Sequence, residues 1–215
     1  MSQVLEIVGI AGSGKSTLTR NLRTRYPDWN CSFRLPVLRT LHWQVFALLR
    51  YVGMLLSYSE KGEFLRNCRL LMYIEALPAA IKQSKAKGRH PVVFDQGVIY
   101  AYASLRNIGL RRAERSGQTL LHLQMLEKYI DQIDGITLLT ADRKSLEDRI
   151  FSRESDHRLK HFSDNEIDIF FRGYGQVFQE VINLLREKGK QVVKIDTSDL
   201  TEEQVFDLFL ERFGI

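Results

Sequence analysis

Gly9-Ile10-Ala11-Gly12-Ser13-Gly14-Lys15-Ser16 fits the pattern GxxxxGK[ST] at every defined position. An apolar, strand-like run over residues 4–8 precedes it, and Ser16-Thr17-Leu18-Thr19-Arg20 opens a helical stretch. Strand, glycine-rich loop and helix in this order build a phosphate cradle. Glycines let backbone N–H groups turn inward around phosphate oxygens with no Cβ in the way. The helix N-terminus adds partial positive charge. In such a loop Lys15 reaches the β- and γ-phosphates and the Ser16 hydroxyl binds Mg2+. Gly9, Ala11, Gly12, Ser13, Gly14 and Thr17 complete the expected ATP-binding set.

Working outward, short apolar or β-branched runs recur at residues 5–8, 31–34, 92–94, 136–139 and 192–195. Each is short and continuous, which suits parallel strands covered on both faces. Helical patterns lie between them, at residues 16–25, 41–58, 63–85, 118–130 and 166–186, and residues 202–213 close the chain. Gly88 and Gly189 follow two helices with basic ends, where a C-terminal glycine belongs. Asp199 and Thr201 are candidate caps for the last helix. There is no internal repeat or linker, so the expected architecture is one three-layer α/β domain spanning residues 1–215.

The chain has 215 residues, 44% hydrophobic and 27% charged, with 31 Lys plus Arg against 26 Asp plus Glu. This is the mix of a globular protein and excludes a collagen, a disordered tail or a small disulfide scaffold. Cys31 and Cys68 match no zinc spacing, so free thiols in a reducing cytosol are expected. The N-terminus reads as a strand and not as a signal segment. The apolar stretch at residues 41–58 is broken by His42, Gln44 and Arg50, which argues against a membrane span. The net charge of +5 is compatible with phosphate-bearing ligands.

Val92-Val93-Phe94-Asp95 is an apolar strand ending in an acid. Beside a phosphate loop, Asp95 is the candidate second metal residue, holding Mg2+ through water.

These pieces resemble the thymidylate kinase-like group of P-loop nucleotide kinases. The resemblance rests on Gly14-Lys15-Ser16-Thr17, on Arg34-x-Pro36, and on the helix, glycine and strand over residues 79–95. It continues in Ala101-Tyr102, in Arg149-Ile150-x-x-Arg153 with Asp156-x-Arg158 and Tyr174, and in Ile195-Asp196-Thr197-Ser198. It implies a five-stranded parallel sheet in order 2-3-1-4-5, a lid at about residues 149–162, and a homodimer. It implies that Asp196, Thr197 and Ser198 flank the adenine. Arg34, Arg69, Tyr73, Gln96 and Tyr102 fall at acceptor positions. The chain departs from the family at Gln96, where an Arg is usual after the Asp, at Leu35, where a Glu is usual, and at Ala11, where an Asp is frequent. A helix Arg that contacts the acceptor falls at Tyr73, with Arg69 one turn away.

The lid also stands on chemistry. If residues 144–153 are helical, Arg149 and Arg153 share a face at i, i+4 spacing, and Arg158 follows shortly after. Clustered guanidinium groups suit a transferring phosphoryl group, whose charge spreads over its equatorial oxygens. Arg153 and Arg158 are the candidate phosphate contacts, and Arg149 is a candidate to stack on adenine. The alternative is a solvated face in which Glu147, Asp148 and Glu154 pair with these arginines. Arg106, Arg111, Arg112 and Arg115 form a second basic stretch, either roofing an acceptor pocket or lying in a solvated loop.

The leading expectation is ATP-dependent phosphoryl transfer to a nucleotide, nucleoside or similar small molecule. The alternative is an ATP-binding regulatory protein or a degenerate kinase, since Gln96 and Leu35 erode acceptor motifs. A GTPase is disfavoured because neither NKxD nor DxxG occurs. An ATPase acting on nucleic acid ranks below both, for want of aromatic and basic residues in alternation.

Overall fold

Val4, Leu5, Ile7 and Val8 are each at most 1% exposed, so strand β1 (Val4–Gly9) is covered on both faces. A computed structural model places it, describing residues 3–31, 45, 49, 64–87, 90–95, 97–109, 116–154 and 156–215. β1 pairs in parallel with β2 (Val92–Phe94), Leu5 opposite Val93, and with β3 (Gly135–Thr140), Ile7 opposite Thr137. β3 pairs in parallel with β4 (Gln191–Asp196), Leu138 opposite Lys194. Parallel neighbours require crossovers, and the helices supply them. After β1 come α1 (Lys15–Arg25) and α2 (Phe64–Lys87). After β2 come α3 (Val98–Gly109) and α4 (Ser116–Ile130). After β3 come α5 (Arg143–Phe151), a 3-10 turn (Arg158–His161) and α6 (Asp164–Glu187), and α7 (Glu202–Phe213) follows β4.

The sheet among the described residues has four strands in order β2-β1-β3-β4, where the family resemblance implies five in order 2-3-1-4-5. The difference lies at the second expected strand. Cys31 is in a turn, and residues 32–34 lie outside the described residues. Asn30 makes an isolated parallel bridge to Val92 on the outer side of β2, with the Val93 N–H donating to the Asn30 carbonyl at 3.0 Å. Of the expected helix at residues 41–58 only Val45 and Leu49 are described, both helical, and Gly88 lies outside the described residues.

Two further expectations change. β4 is not covered on both faces: Gln191, Lys194 and Asp196 are exposed, as an edge position allows. The sequence pattern leaves α3 unmarked, yet the structure makes residues 98–109 a helix.

Alternation along the strands sorts the core into two layers. Val4, Val8, Val92, Phe94 and Ile136 face α2, α3, α4 and α6. Leu5, Ile7, Val93 and Leu139 face α1 and α7 through Leu18, Leu22, Phe206 and Phe209. α6 buries Ile167, Phe170, Tyr174, Val177, Phe178 and Val181 at helical spacing, and a box of Ser163 and Glu166 opens it. It ends before Gly189, whose φ of +67° is the left-handed value expected beyond a helix end. Thr201 caps α7, as expected, accepting from the Gln204 N–H. Among the described residues no helix is long and apolar enough to cross a membrane.

Candidate active site

The loop between β1 and α1 is held by glycines that cannot be replaced without cost. Gly12 and Gly14 have φ of +86° and +91°. A Cβ on Gly12 would lie 2.8 Å from the Leu146 carbonyl oxygen in α5. A Cβ on Gly9 would run into the Leu139 carbonyl oxygen of β3. Inside the loop the Ser13 N–H donates to the Ile10 carbonyl at 3.2 Å. The first turn of α1 presents amides that a helix cannot satisfy internally.

Lys15 is 8% exposed. Its ammonium donates to the Ile10 carbonyl at 2.8 Å and lies 5.9 Å from the centre of the Tyr100 ring. Burial lowers its pKa to about 8; the nearby Asp95 carboxyl opposes that shift and the Arg153 guanidinium adds to it. Asp95 and Arg153 therefore both act on this one ammonium. Asp95 follows β2 directly and is half-buried, at the same end of the sheet as the loop. Ser16 is exposed in the first turn of α1.

Gly12, Gly14, Thr17 and Leu18 form one wall of a cleft of about 320 Å³. Arg149, Ser152 and Arg153 form the second wall, and Thr197, Leu200, Glu202 and Val205 the third. Arg149 is tied to the third wall. Its guanidinium donates to Thr197 Oγ1 at 2.9 Å and to the Thr197 carbonyl at 2.6 Å. The Thr197 hydroxyl in turn donates to the Thr140 carbonyl at 3.0 Å. Asp196 and Ser198 brace this loop. The Asp196 carboxylate accepts from the Ser198 N–H at 2.9 Å and from its hydroxyl at 2.6 Å, and these bonds lower the Asp196 pKa. Ser198 Oγ accepts the Asp142 N–H at 2.9 Å, and Asp142 caps α5 through the Ser145 N–H.

The arginines separate. α5 ends at Phe151 with Ser152 as its C-cap, so Arg153 lies beyond the helix and does not share a helical face with Arg149. Both still line the cleft. Arg158 stands apart, 5.0 Å from the Phe170 ring centre and 5.7 Å from that of Phe162. Glu147, a candidate partner for the lid arginines, pairs with Arg143 at 2.6 Å.

Of the acceptor candidates, Tyr73 is half-buried on α2, and burial, then Glu6 and Asp95, push its hydroxyl pKa well up. Tyr102 is 1% exposed and belongs to the core. Arg69 is exposed on α2. Arg34, Leu35, Gln96, Arg111, Arg112 and Arg115 lie outside the described residues, whereas Arg106 lies 3.5 Å from Glu180.

Sequence reasoning missed Glu6. This carboxyl is fully buried in β1. Its Oε2 accepts the Tyr129 hydroxyl at 2.6 Å and the Ile99 N–H at 3.3 Å, and its Oε1 accepts the Tyr100 N–H at 3.2 Å. Burial raises its pKa to about 7, against the lowering effect of Tyr129 and the helix N–H groups. The available signal is a lone acid in an otherwise apolar strand. Leu200 and Val205 were also missed, and as ordinary apolar residues near a helix start they carry no such signal.

The site is compatible with a nucleotide and its metal. The Ser13 hydroxyl is buried with no hydrogen-bond partner among the described residues, a donor left over inside the loop. Ser16, exposed in the first turn of α1, and Asp95, half-buried after β2, are the oxygen-bearing side chains at this end of the sheet that fit a hard cation.

No family model and no curated protein matches the sequence. Solved structures do match in fold. Deoxyadenosine kinase from M. mycoides with bound dATP superimposes with a TM-score of 0.60 at 13% identity, covering 99% of this chain and 100% of that one. The same enzyme with bound dCTP gives a TM-score of 0.57 at 15% identity, covering 99% of each chain. Thymidylate kinase from Candida albicans gives 0.60 at 16% identity, covering 99% of this chain and 91% of that one. The parallel sheet and the full-length superposition together make this an α/β chain with the fold of the deoxyadenosine and thymidylate kinases.

Proposed function

We propose that this protein transfers the γ-phosphoryl group of ATP to a nucleotide, nucleoside or similar small molecule. The observation that carries the proposal is the glycine loop facing the arginines. Gly12 and Gly14, at φ of +86° and +91°, line one side of a cleft whose other side carries Arg149 and Arg153, and the buried Lys15 ammonium is folded back on the Ile10 carbonyl of the same loop. The adjoining cleft has room for a base, with the Arg149 guanidinium on one side and Thr197, Leu200 and Val205 on the other.

The roles follow from placement. Backbone N–H groups of the loop and of the first turn of α1 bind the phosphates, and Lys15 neutralises them. When bound, Mg2+ would spread the phosphate charge, held by the Ser16 hydroxyl and, through water, by Asp95. Arg153 stabilises the charge of the transferring group, and Arg158 contributes after the lid moves off its aromatic seat. Asp95 also serves as base if the acceptor is a hydroxyl; a phosphate acceptor needs none. Catalysis is then positioning plus electrostatics. The similar structures are named deoxyadenosine kinase and thymidylate kinase, and a nucleoside and a nucleotide acceptor both belong to the proposal. A cytosolic setting and a homodimer complete it, the former supported by the buried free thiol of Cys31.

The test is a mass-spectrometric screen with Mg–ATP and a panel of nucleosides, nucleoside monophosphates and other small hydroxyl compounds. A phosphorylated product is expected. ATP binding with no product on any acceptor class overturns transfer, and no ATP binding overturns the whole reading.

A further inference from the structure

Gly97 is the N-cap of α3, and its carbonyl accepts the Ala101 N–H at 3.1 Å. An N-cap normally also supplies a side-chain oxygen to the amides two or three residues on. Gly97 has no side chain. The missing acceptor comes from β1, 93 positions before Ile99: Glu6 takes the Ile99 N–H on one oxygen and the Tyr100 N–H on the other. The two arrangements exclude each other in space, because a Cβ on Gly97 would lie 2.5 Å from Glu6 Cδ. The carboxyl is also fixed from α4 by the Tyr129 hydroxyl, with Tyr73 close by on α2.

This remote cap sits between two groups of the proposed site. Asp95 lies two residues before Gly97, and the Tyr100 ring lies under the Lys15 ammonium. We infer that Glu6 is a positioning residue of the transfer site, capping α3 from the neighbouring strand and so holding Asp95 and the Tyr100 ring in register with Lys15. The inference rests on the phosphoryl-transfer reading above. It also explains why an acid stands in the middle of a strand whose other buried residues are apolar. An apolar residue there would leave the α3 amides and the Tyr129 hydroxyl without their acceptor.

The test uses the mutual exclusion. Glu6→Ala removes the remote cap and opens the space. Gly97→Ser alone forces a Cβ into the carboxyl. Together, the serine occupies the vacated space and caps α3 locally. Three quantities are read on the full chain: amide exchange at Ile99 and Tyr100, Mg–ATP affinity by calorimetry, and the rate of transfer from Mg–ATP to the acceptor found by the screen, or to water. Each single variant is expected to expose both amides and to lower kcat about tenfold or more, with Mg–ATP affinity kept within about threefold. The double variant is expected to regain protection and most of kcat.

Wild-type kcat in Glu6→Ala overturns the inference. So does a double variant that regains protection and melting temperature but not kcat, since the cap is then structural only. If Glu6→Ala does not fold, Glu6→Gln, which keeps the volume but turns one of the two acceptor oxygens into a donor, takes its place: exposure of one of the two amides with a lowered kcat is expected, and an exposed amide with unchanged kcat overturns the role. A wild-type protein that transfers no phosphoryl group from Mg–ATP, whether or not it binds it, overturns the phosphoryl-transfer reading, and the positioning role with it. The two failures are distinct, because the wild type is silent in one and active in the other.

Discussion

The Arg149 guanidinium donates to both the hydroxyl and the carbonyl of Thr197, at 2.9 Å and 2.6 Å, and so fastens the last turn of α5 to the loop after β4. These residues are 48 apart in sequence and form two facing walls of the same cleft. Hydrogen bonds to a charged group contribute about 1.5–3 kcal/mol. Arg149→Ala removes them together with the surface available to a base. Mg–ATP affinity is expected to fall about tenfold or more, read by calorimetry. Thr197→Val, which keeps the shape and one of the two acceptors, is expected to cost less. Equal affinity in Arg149→Ala and wild type removes the base from this cleft.

Lys15 makes a pH prediction with a definite sign. Its folded pKa is about 8 against an ordinary 10.5, because burial disfavours the ammonium. Below about pH 8 both folded and unfolded chains hold the proton, and the folded chain carries the full cost of the buried charge. Between about pH 8 and 10.5 the unfolded chain holds more protons, so this contribution to stability rises with pH. Lys15→Met keeps the stem and drops the charge. It is expected to be more stable than wild type at pH 7, by roughly 3 kcal/mol or less, with the gap closing toward pH 10. Denaturant melts at several pH values measure it. ATP binding in the same variant is expected to collapse. A gap independent of pH rejects the buried-charge account.

The parts of the fold legible in the sequence are those whose cause is local. The loop at residues 9–16 carries its chemistry in consecutive residues, and the Thr201 cap is bonded to a residue only three away. α3 was not legible because its cap is not local: Gly97 offers no side chain, and the acceptor sits on β1. The reach of α5 was also misread. Arg153 is four residues after Arg149, yet the helix stops at Phe151, and its partner loop lies 48 residues on. The cleft thus depends on a long-range contact that spacing alone does not reveal. Arg34, Gln96 and all of the helix expected at residues 41–58 except Val45 and Leu49 lie outside the described residues.

Arg153 and Arg158 are expected to differ although both were read as phosphate contacts. Arg153 lines the cleft and acts on Lys15. Arg158 lies over the Phe170 and Phe162 rings. Arg153→Ala is expected to lower kcat about a hundredfold with little change in KM for ATP, since the contact strengthens in the transition state. Arg158→Ala also loses a contact of about 0.5–2 kcal/mol with the rings, so it is expected to lower melting temperature as well as kcat. Steady-state kinetics and thermal melts on the two variants separate the roles. A change confined to KM in Arg153→Ala rejects its transition-state role.

Gly12 and Gly14 separate two reasons for glycine in one loop. Their φ values are nearly equal, +86° and +91°, so an alanine at either position meets similar backbone strain, about 1–2 kcal/mol. Their surroundings differ. A Cβ at Gly12 meets the Leu146 carbonyl oxygen at 2.8 Å and Ile150 Cγ1 at 3.3 Å, while a Cβ at Gly14 meets nothing within 4 Å. Gly12→Ala must therefore push α5 off the loop, and Arg149 moves with it. Gly14→Ala instead directs its methyl into open space beside the cleft it lines. Both variants are expected to lose Mg–ATP binding, the first by displacing the wall and the second by filling space a phosphate needs. Only Gly12→Ala is expected to lose stability well beyond the shared strain. Paired melts and ATP titrations decide the matter: equal stability loss rejects the packing of α5 on Gly12, and normal ATP binding in Gly14→Ala rejects the placement of phosphate at this turn.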